Sequence, residues 1–173
     1  MSILYVIIDM QNDFVTGPLG TAEAKAVAPK IAAKIQDLKR SGASDYDILF
    51  TKDTHDEDYL FTQEGRKLPV PHCIRNTPGW NICRELLPYS LFATILQKPT
   101  FGCTDLVGEA APYDEITVMG VCTDICVISN ALLLKAFYPE KKISVDSSCC
   151  AGSSPEDHER ALQSMVACHI DII

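Results

Sequence analysis

The sequence has no apolar run approaching the roughly 18–20 residues of a membrane span, and no basic cluster larger than a neighbouring pair. The first absence argues against a membrane partner. The second, together with a formal net charge of −8, argues against a nucleic-acid partner, whose phosphates require a basic footprint. Eight cysteines are present, yet none forms a C-x-x-C pair or a zinc-finger spacing, so a site made of four thiolates is not expected. No basic stretch precedes the first apolar run, Met1-Ser-Ile-Leu-Tyr-Val-Ile-Ile-Asp9, which stops at a carboxylate. It reads as a strand rather than a signal peptide, which predicts a cytoplasmic protein with reduced thiols.

What is present is an ordinary globular composition. A chain of 173 residues, 47% hydrophobic and 22% charged, suits a single domain over 1–173 with a substantial core. Short β-branched runs alternate with amphipathic stretches, the pattern of βαβ units in an α/β fold with a mainly parallel sheet. Strands are expected near 3–8, 46–51, 91–97, 115–119, 142–146 and 169–173. A crossover helix should carry Ile31, Ile35 and Leu38, with Pro29 in its first turn and Gly42 just past its end. A second helix should run from Thr123 or Asp124 to Phe137. A third should span about 155–168, capped by Ser154 with Pro155 at its first position. The polar segment from Lys52 to Trp80, with Pro69, Pro71 and Pro78, is too long for an ordinary connection and reads as a functional loop.

In open parallel sheets ligands bind beyond the carboxyl ends of the strands. Asp9 follows the first strand, Lys98 the third, and the turn from Cys122 to Cys126 the fourth. Asp9, between Ile8 and Met10, is either a turn former or a partly buried carboxylate with a raised pKa, suited to general-base work. Lys98 is either a solvent-facing lysine or, if it enters the crevice, a partner for Asp9 and for a thiolate. Cys122 precedes a helix and Cys126 falls in its first turn, where free amides and the dipole should lower a thiol pKa and can receive an oxyanion. Either cysteine alone is equally a small buried hydrophobe. Asp53, His55 and His72 lie in the long loop, and a carboxylate with two imidazoles is a ligand set for Zn, Mn or Fe, with Glu64 a possible fourth donor.

Four segments taken in order resemble the isochorismatase-like cysteine hydrolases, and most closely their nicotinamidase branch. They are Ile7-Ile8-Asp9-Met10-Gln11-Asn12-Asp13-Phe14, then Asp53-Thr54-His55 with Pro71-His72-Cys73, then Lys98-Pro99-Thr100-Phe101-Gly102, and Gly120-Val121-Cys122-Thr123-Asp124-Ile125-Cys126-Val127. The resemblance implies a three-layer α-β-α fold around a six-stranded sheet and a cis peptide just before Cys122. It implies Asp9, Lys98 and Cys126 as the catalytic set, and Gln11, Phe14 and Cys122 on the substrate or oxyanion side. It further implies hydrolysis of a small carboxamide to acid and ammonia through a thioester, a homo-oligomer, and no organic cofactor. Many nicotinamidases carry a tryptophan three residues before the second metal histidine; here that place is Pro69.

Other readings remain on the same fold. An amidase for aliphatic or carbamoyl amides would use the same three residues. The isochorismatase branch works without this cysteine. A silent scaffold gives no reason for three such residues to converge, and a redox thiol protein would commonly need a resolving thiol.

Overall fold

The computed structural model describes residues 1–173. Six strands, all paired in parallel, form one sheet in the order β3-β2-β1-β4-β5-β6. They are β1 (Ile3–Ile8), β2 (Tyr46–Asp53), β3 (Thr94–Lys98), β4 (Glu115–Val121), β5 (Lys142–Ala151) and β6 (Asp171–Ile172). The chain builds outward from β1 to β3, then returns to lay β4 on the other side of β1. The carboxyl ends of β1 and β4 therefore meet where the direction of winding reverses, the usual crevice of such sheets.

Alternation along a strand sends successive side chains to opposite faces, and a central parallel strand is buried on both. In β1, Leu4, Val6 and Ile8 join one core and Ile7 the other. The first core is covered by α2 (Asp105–Ala110), α3 (Ile128–Phe137) and α4 (Pro155–Ala167), which contribute Leu106, Ala131, Leu134, Leu162 and Met165. The second is covered by α1 (Ala22–Arg40), whose Val27, Ala28, Ile31 and Ile35 form the buried stripe. At Gly120, φ is +118° and an added Cβ would lie 2.1 Å from the Ile8 carbonyl oxygen. Only glycine lets β4 approach β1 so closely at the crevice.

Several boundaries depart from the sequence reading. Pro29 lies inside α1 rather than in its first turn, because Thr21 starts the helix earlier by accepting from the Ala24 amide. The third strand begins at Thr94, not 91: Pro88 sits in a short helix, Leu87–Ser90, and Leu91 and Phe92 are exposed beyond it. β2 runs on to Asp53, so Lys52 and Asp53 are strand rather than loop. β6 is only two residues, since His169 has a left-handed φ of 60°. The helix expected from Thr123 opens with a π turn, Thr123–Val127, before α3. The third helix starts at Pro155 with Ser154 accepting from the Asp157 amide, as its sequence implies.

Candidate active site

The end of β1 places Asp9 at a φ of 49°, a left-handed conformation that Asp tolerates better than most residues. Its carboxylate is buried. Oδ1 accepts from the Thr51 hydroxyl at 2.7 Å, and Oδ2 meets the Lys98 ammonium at 2.6 Å as an ion pair without an aligned hydrogen-bond donor. Lys98, at the end of β3, is the direct cross-strand partner of Asp53 on β2. Its ammonium also reaches the Asp53 Oδ1 at 3.3 Å, the Thr100 carbonyl at 3.0 Å and the Cys126 Sγ at 3.5 Å. One buried cation thus touches both carboxylates and the thiol.

Cys126 sits in the π turn, where Val127 N–H bonds to the Cys122 carbonyl at 3.0 Å, five residues back. The Val121–Cys122 peptide is cis. The expectation of a lowered thiol pKa is overturned. Burial first, and then the Asp9 carboxylate, push the Cys126 thiol well above its ordinary value, outweighing Lys98 and any effect of the helix start. Cys122 is pushed up to about 12, by burial and then Asp124. Asp9 is raised, as its placement predicts: burial and the nearby Asp53 charge exceed the opposing pull of Lys98 and Thr51. Burial works against a charged Lys98, but the carboxylates of Asp9 and Asp53 outweigh it and raise its pKa. Burial and Asp9 thus favour the neutral thiol, next to the close Asp9–Lys98 contact.

Asp53, His55, Glu64 and His72 converge beside this set, each offering one donor atom, with all four atoms within 4.8 Å of one another. Asp53 Oδ2 lies 2.9 Å from His55 Nε2 and 3.5 Å from His72 Nε2, and Glu64 Oε1 lies 3.6 and 3.8 Å from the same two nitrogens. His72 Nδ1 donates to the Val70 carbonyl at 2.8 Å, which leaves Nε2 turned to the cluster. Burial works against a charged Asp53, but bonds from His55 and His72 and the charge of Lys98 hold its carboxyl well below the usual range. Glu64 is raised, by burial and by Asp53. It stands in the short helix Gln63–Lys67, which Thr62 caps by accepting from the Gly65 amide. Two nitrogens and two carboxylates gathered this closely fit a divalent transition metal.

A cavity of about 270 Å³ opens onto both groups. Cys126, Asp53, Glu64 and His72 line its polar side; Phe14, Leu19, Leu68, Phe101 and Ile125 form apolar walls; Cys122, Thr21 and Ser153 complete it. Its size lies just under the roughly 300–1,000 Å³ of drug-sized ligand sites, so a single small ring fits it better than a large substrate. A larger groove of about 420 Å³ near Tyr46, Tyr89 and Tyr113, at the amino ends of β2 and β3, gathers neither a nucleophile nor a metal-ligand set.

The sequence-predicted residues fall into two groups. Asp9, Lys98, Cys126 and the four metal candidates converge, and Phe14 and Cys122 line the cavity. Gln11 does not line it. Its side chain accepts from the Asp53 amide at 2.7 Å and donates to the Asp53 and Trp80 carbonyls at 2.8 and 2.9 Å, so it braces the metal strand. Trp80 also stands outside the cavity lining, under the Lys52 ammonium and donating to Thr54. Sequence reasoning missed Thr51, whose hydroxyl orients Asp9, and Asp13, which accepts from the Cys73 amide beside His72. Asp13 stood in a quoted motif; Thr51 carried no signal.

The isochorismatase domain family model matches residues 4–173. An uncharacterized isochorismatase family protein of Bacillus subtilis is 31% identical over 173 residues, spanning 91% of this chain and 90% of its own. A nicotinamidase of Schizosaccharomyces pombe is 25% identical over 205 residues, spanning 97% of this chain and 91% of its own. Among solved structures, pyrazinamidase of Pyrococcus horikoshii in complex with zinc aligns with a TM-score of 0.77 at 27% identity, over 100% of this chain and 99% of that one.

Proposed function

The chain belongs to the isochorismatase domain family, and on that premise we propose that it is a nicotinamidase-type amidohydrolase whose nucleophile is Cys126. The observation that carries this reading is the convergence of a buried Asp9–Lys98 ion pair on the Cys126 thiol at the base of a small cavity that also holds a four-donor metal cluster. The substrate class is a small neutral carboxamide, hydrolysed to the acid and ammonia, with nicotinamide and pyrazinamide as the substrates to test.

Asp9 Oδ2 lacks an aligned donor and is the atom suited to take the Cys126 proton. As the thiolate forms, the Lys98 ammonium at 3.5 Å stabilises it. The thiolate attacks the amide carbon, and the oxyanion is received by the backbone amides of Cys122 and Cys126. Collapse expels ammonia, which carries away the proton held on Asp9, and leaves an acyl thioester on Cys126. Asp9 then deprotonates a water that attacks the thioester. The acid departs, and the same proton returns to the thiol.

Asp53, His55, Glu64 and His72 would hold the metal, for which we propose zinc, with manganese or iron as alternatives. Such an ion supplies a Lewis-acid contact for a ring nitrogen. Phe14, 5.4 Å from His72 edge to face, would flank the ring.

The competing reading, an amidase for carbamoyl amides, loses ground on charge. No Lys or Arg lines the cavity, and the Lys98 cation beneath it is already shared by Asp9, Asp53 and the Thr100 carbonyl. A carboxylate-bearing amide would find no side-chain counter-ion there, only the metal position that this reading gives to the ring nitrogen. Ammonia release from nicotinamide, benzamide and an N-carbamoyl amino acid tests this: the reading requires nicotinamide to lead, and a lead for the carbamoyl amino acid overturns it.

No helix is long and apolar enough to cross a membrane, and all eight cysteines are free thiols, which supports a cytoplasmic setting. The homo-oligomer is carried as part of the same reading, with sedimentation velocity as its test.

A further inference from the structure

Asn130 is a fully buried amide in the first turn of α3. Its polar atoms are committed. Nδ2 donates to the Cys126 carbonyl at 2.7 Å and to the Phe101 carbonyl at 3.1 Å, while Oδ1 accepts from the Cys103 amide at 2.8 Å. Both donor hydrogens and the acceptor are thus engaged. The partners are not scattered. One is the candidate nucleophile itself, and the others lie in the segment after Lys98, where the Thr100 carbonyl holds the Lys98 ammonium and Phe101 lines the cavity.

We propose that Asn130 is a positioning residue that fixes the nucleophile turn against the Lys98–Cys103 segment, setting the approach of Cys126 to Lys98 and Asp9. The inference rests on Cys126 being the nucleophile. The geometry explains the need. Lys98 comes from the end of β3 and Cys126 from a π turn after β4, two strands that are not neighbours in the sheet. Their side chains nevertheless meet at 3.5 Å. A small error in the seating of either segment opens that contact, and misplacement near 1 Å is enough to cost about a hundredfold in rate. Asn130 ties the two segments directly, without touching substrate.

The test compares Asn130→Asp and Asn130→Leu with Leu134→Ala, a buried change one turn further along α3. Asp keeps the acceptor for Cys103 but loses both donors and sets a negative charge against two carbonyls; Leu removes all three bonds at similar volume. Both Asn130 variants should lose about tenfold or more in kcat on nicotinamide with KM within about threefold. In the Asp variant, iodoacetamide should also alkylate Cys126 more slowly, as read by peptide mapping. Metal content should stay at the unmodified protein's level. Leu134→Ala should lower Tm at least as far while keeping kcat within about twofold. Asn130 variants that lose stability like Leu134→Ala yet keep kcat and the alkylation rate would overturn the proposal. If neither variant folds, the Asn130 side-chain amide is followed by NMR in the unmodified 15N-labelled protein. Slow exchange and a shift on alkylation of Cys126 support the tie; fast exchange with no shift overturns it. Retained turnover in Cys126→Ala would refute the nucleophile assignment separately, since the alkylation and amide readouts do not depend on turnover.

Discussion

The Lys98 ammonium lies 2.6 Å from Asp9 Oδ2 and 3.3 Å from Asp53 Oδ1, with all three side chains buried. One cation therefore serves two anions, one beside the nucleophile and one in the metal cluster. Removing it strands the Asp9 charge in the interior, while Asp53 keeps His55 at 2.9 Å and His72 at 3.5 Å.

Lys98→Met is expected to destabilise the fold by about 3–5 kcal/mol, the usual cost of leaving a buried charge unpaired. Asp9→Asn/Lys98→Met should recover part of that loss, since Asn tolerates the left-handed backbone at this position and carries no charge. Urea unfolding of the three proteins measures it. A single variant as stable as the parent would mean the pair is hydrated in solution.

Activity should have an acidic limb set by Asp9. Because burial raises its pKa, the base form is lost, as pH falls, at a higher pH than for a free carboxyl near 4. Thr51→Val removes a hydrogen bond that favours the carboxylate, so the limb should move further up. The profile of kcat/KM for a non-titrating amide such as benzamide reports both. A limb at or below about pH 4, unmoved by Thr51→Val, would assign the base elsewhere.

The four-donor cluster predicts about one divalent metal per chain, released by chelator or by acid as its histidines protonate. His72→Ala should remove it and Glu64→Gln should weaken it less, because Glu64 is the more exposed donor. Elemental analysis after purification without chelator decides the point. Metal-free protein with unchanged activity in His72→Ala would leave the loop as a lid only.

Legibility followed the range of the interaction. The parallel sheet could be read from β1, β2 and β4, where apolar runs reflect burial on both faces, and Asp9, Lys98 and the Cys122–Cys126 turn could be placed at strand ends. The edges were harder: β3 is exposed along much of its length, so packing does not mark its start, and Leu91 with Phe92 imitates strand where the chain is still turning. The thiol pKa was misjudged because a local rule about helix starts cannot see burial or the carboxylate supplied by β1. Gln11, Thr51 and Asn130 act through backbone or side-chain groups that are 27 to 42 residues away in sequence, as in the bonds to Asp53, Asp9, Phe101 and Cys103. Nothing local distinguishes such residues from ordinary buried amides and hydroxyls.

Leu68 and Phe101 line the cavity yet remain 37% and 42% exposed, and Pro69 is not among the lining residues. With no tryptophan closing this side, KM for nicotinamide should fall when Leu68→Trp supplies a stacking wall worth about 0.5–1.5 kcal/mol, a gain of roughly tenfold at most. Steady-state kinetics on both proteins tests it, and a rise in KM would mean that the ring does not lie against this wall.

The most direct measurement is acid quenching of the metal-replete enzyme during turnover of nicotinamide, followed by intact mass and peptide mapping. The account predicts a pyridine-3-carbonyl thioester on the Cys126 peptide, present in the parent and absent in Cys126→Ala, with Cys122 unmodified. Turnover with no acyl adduct on Cys126, or an adduct that maps to Cys122, would contradict it.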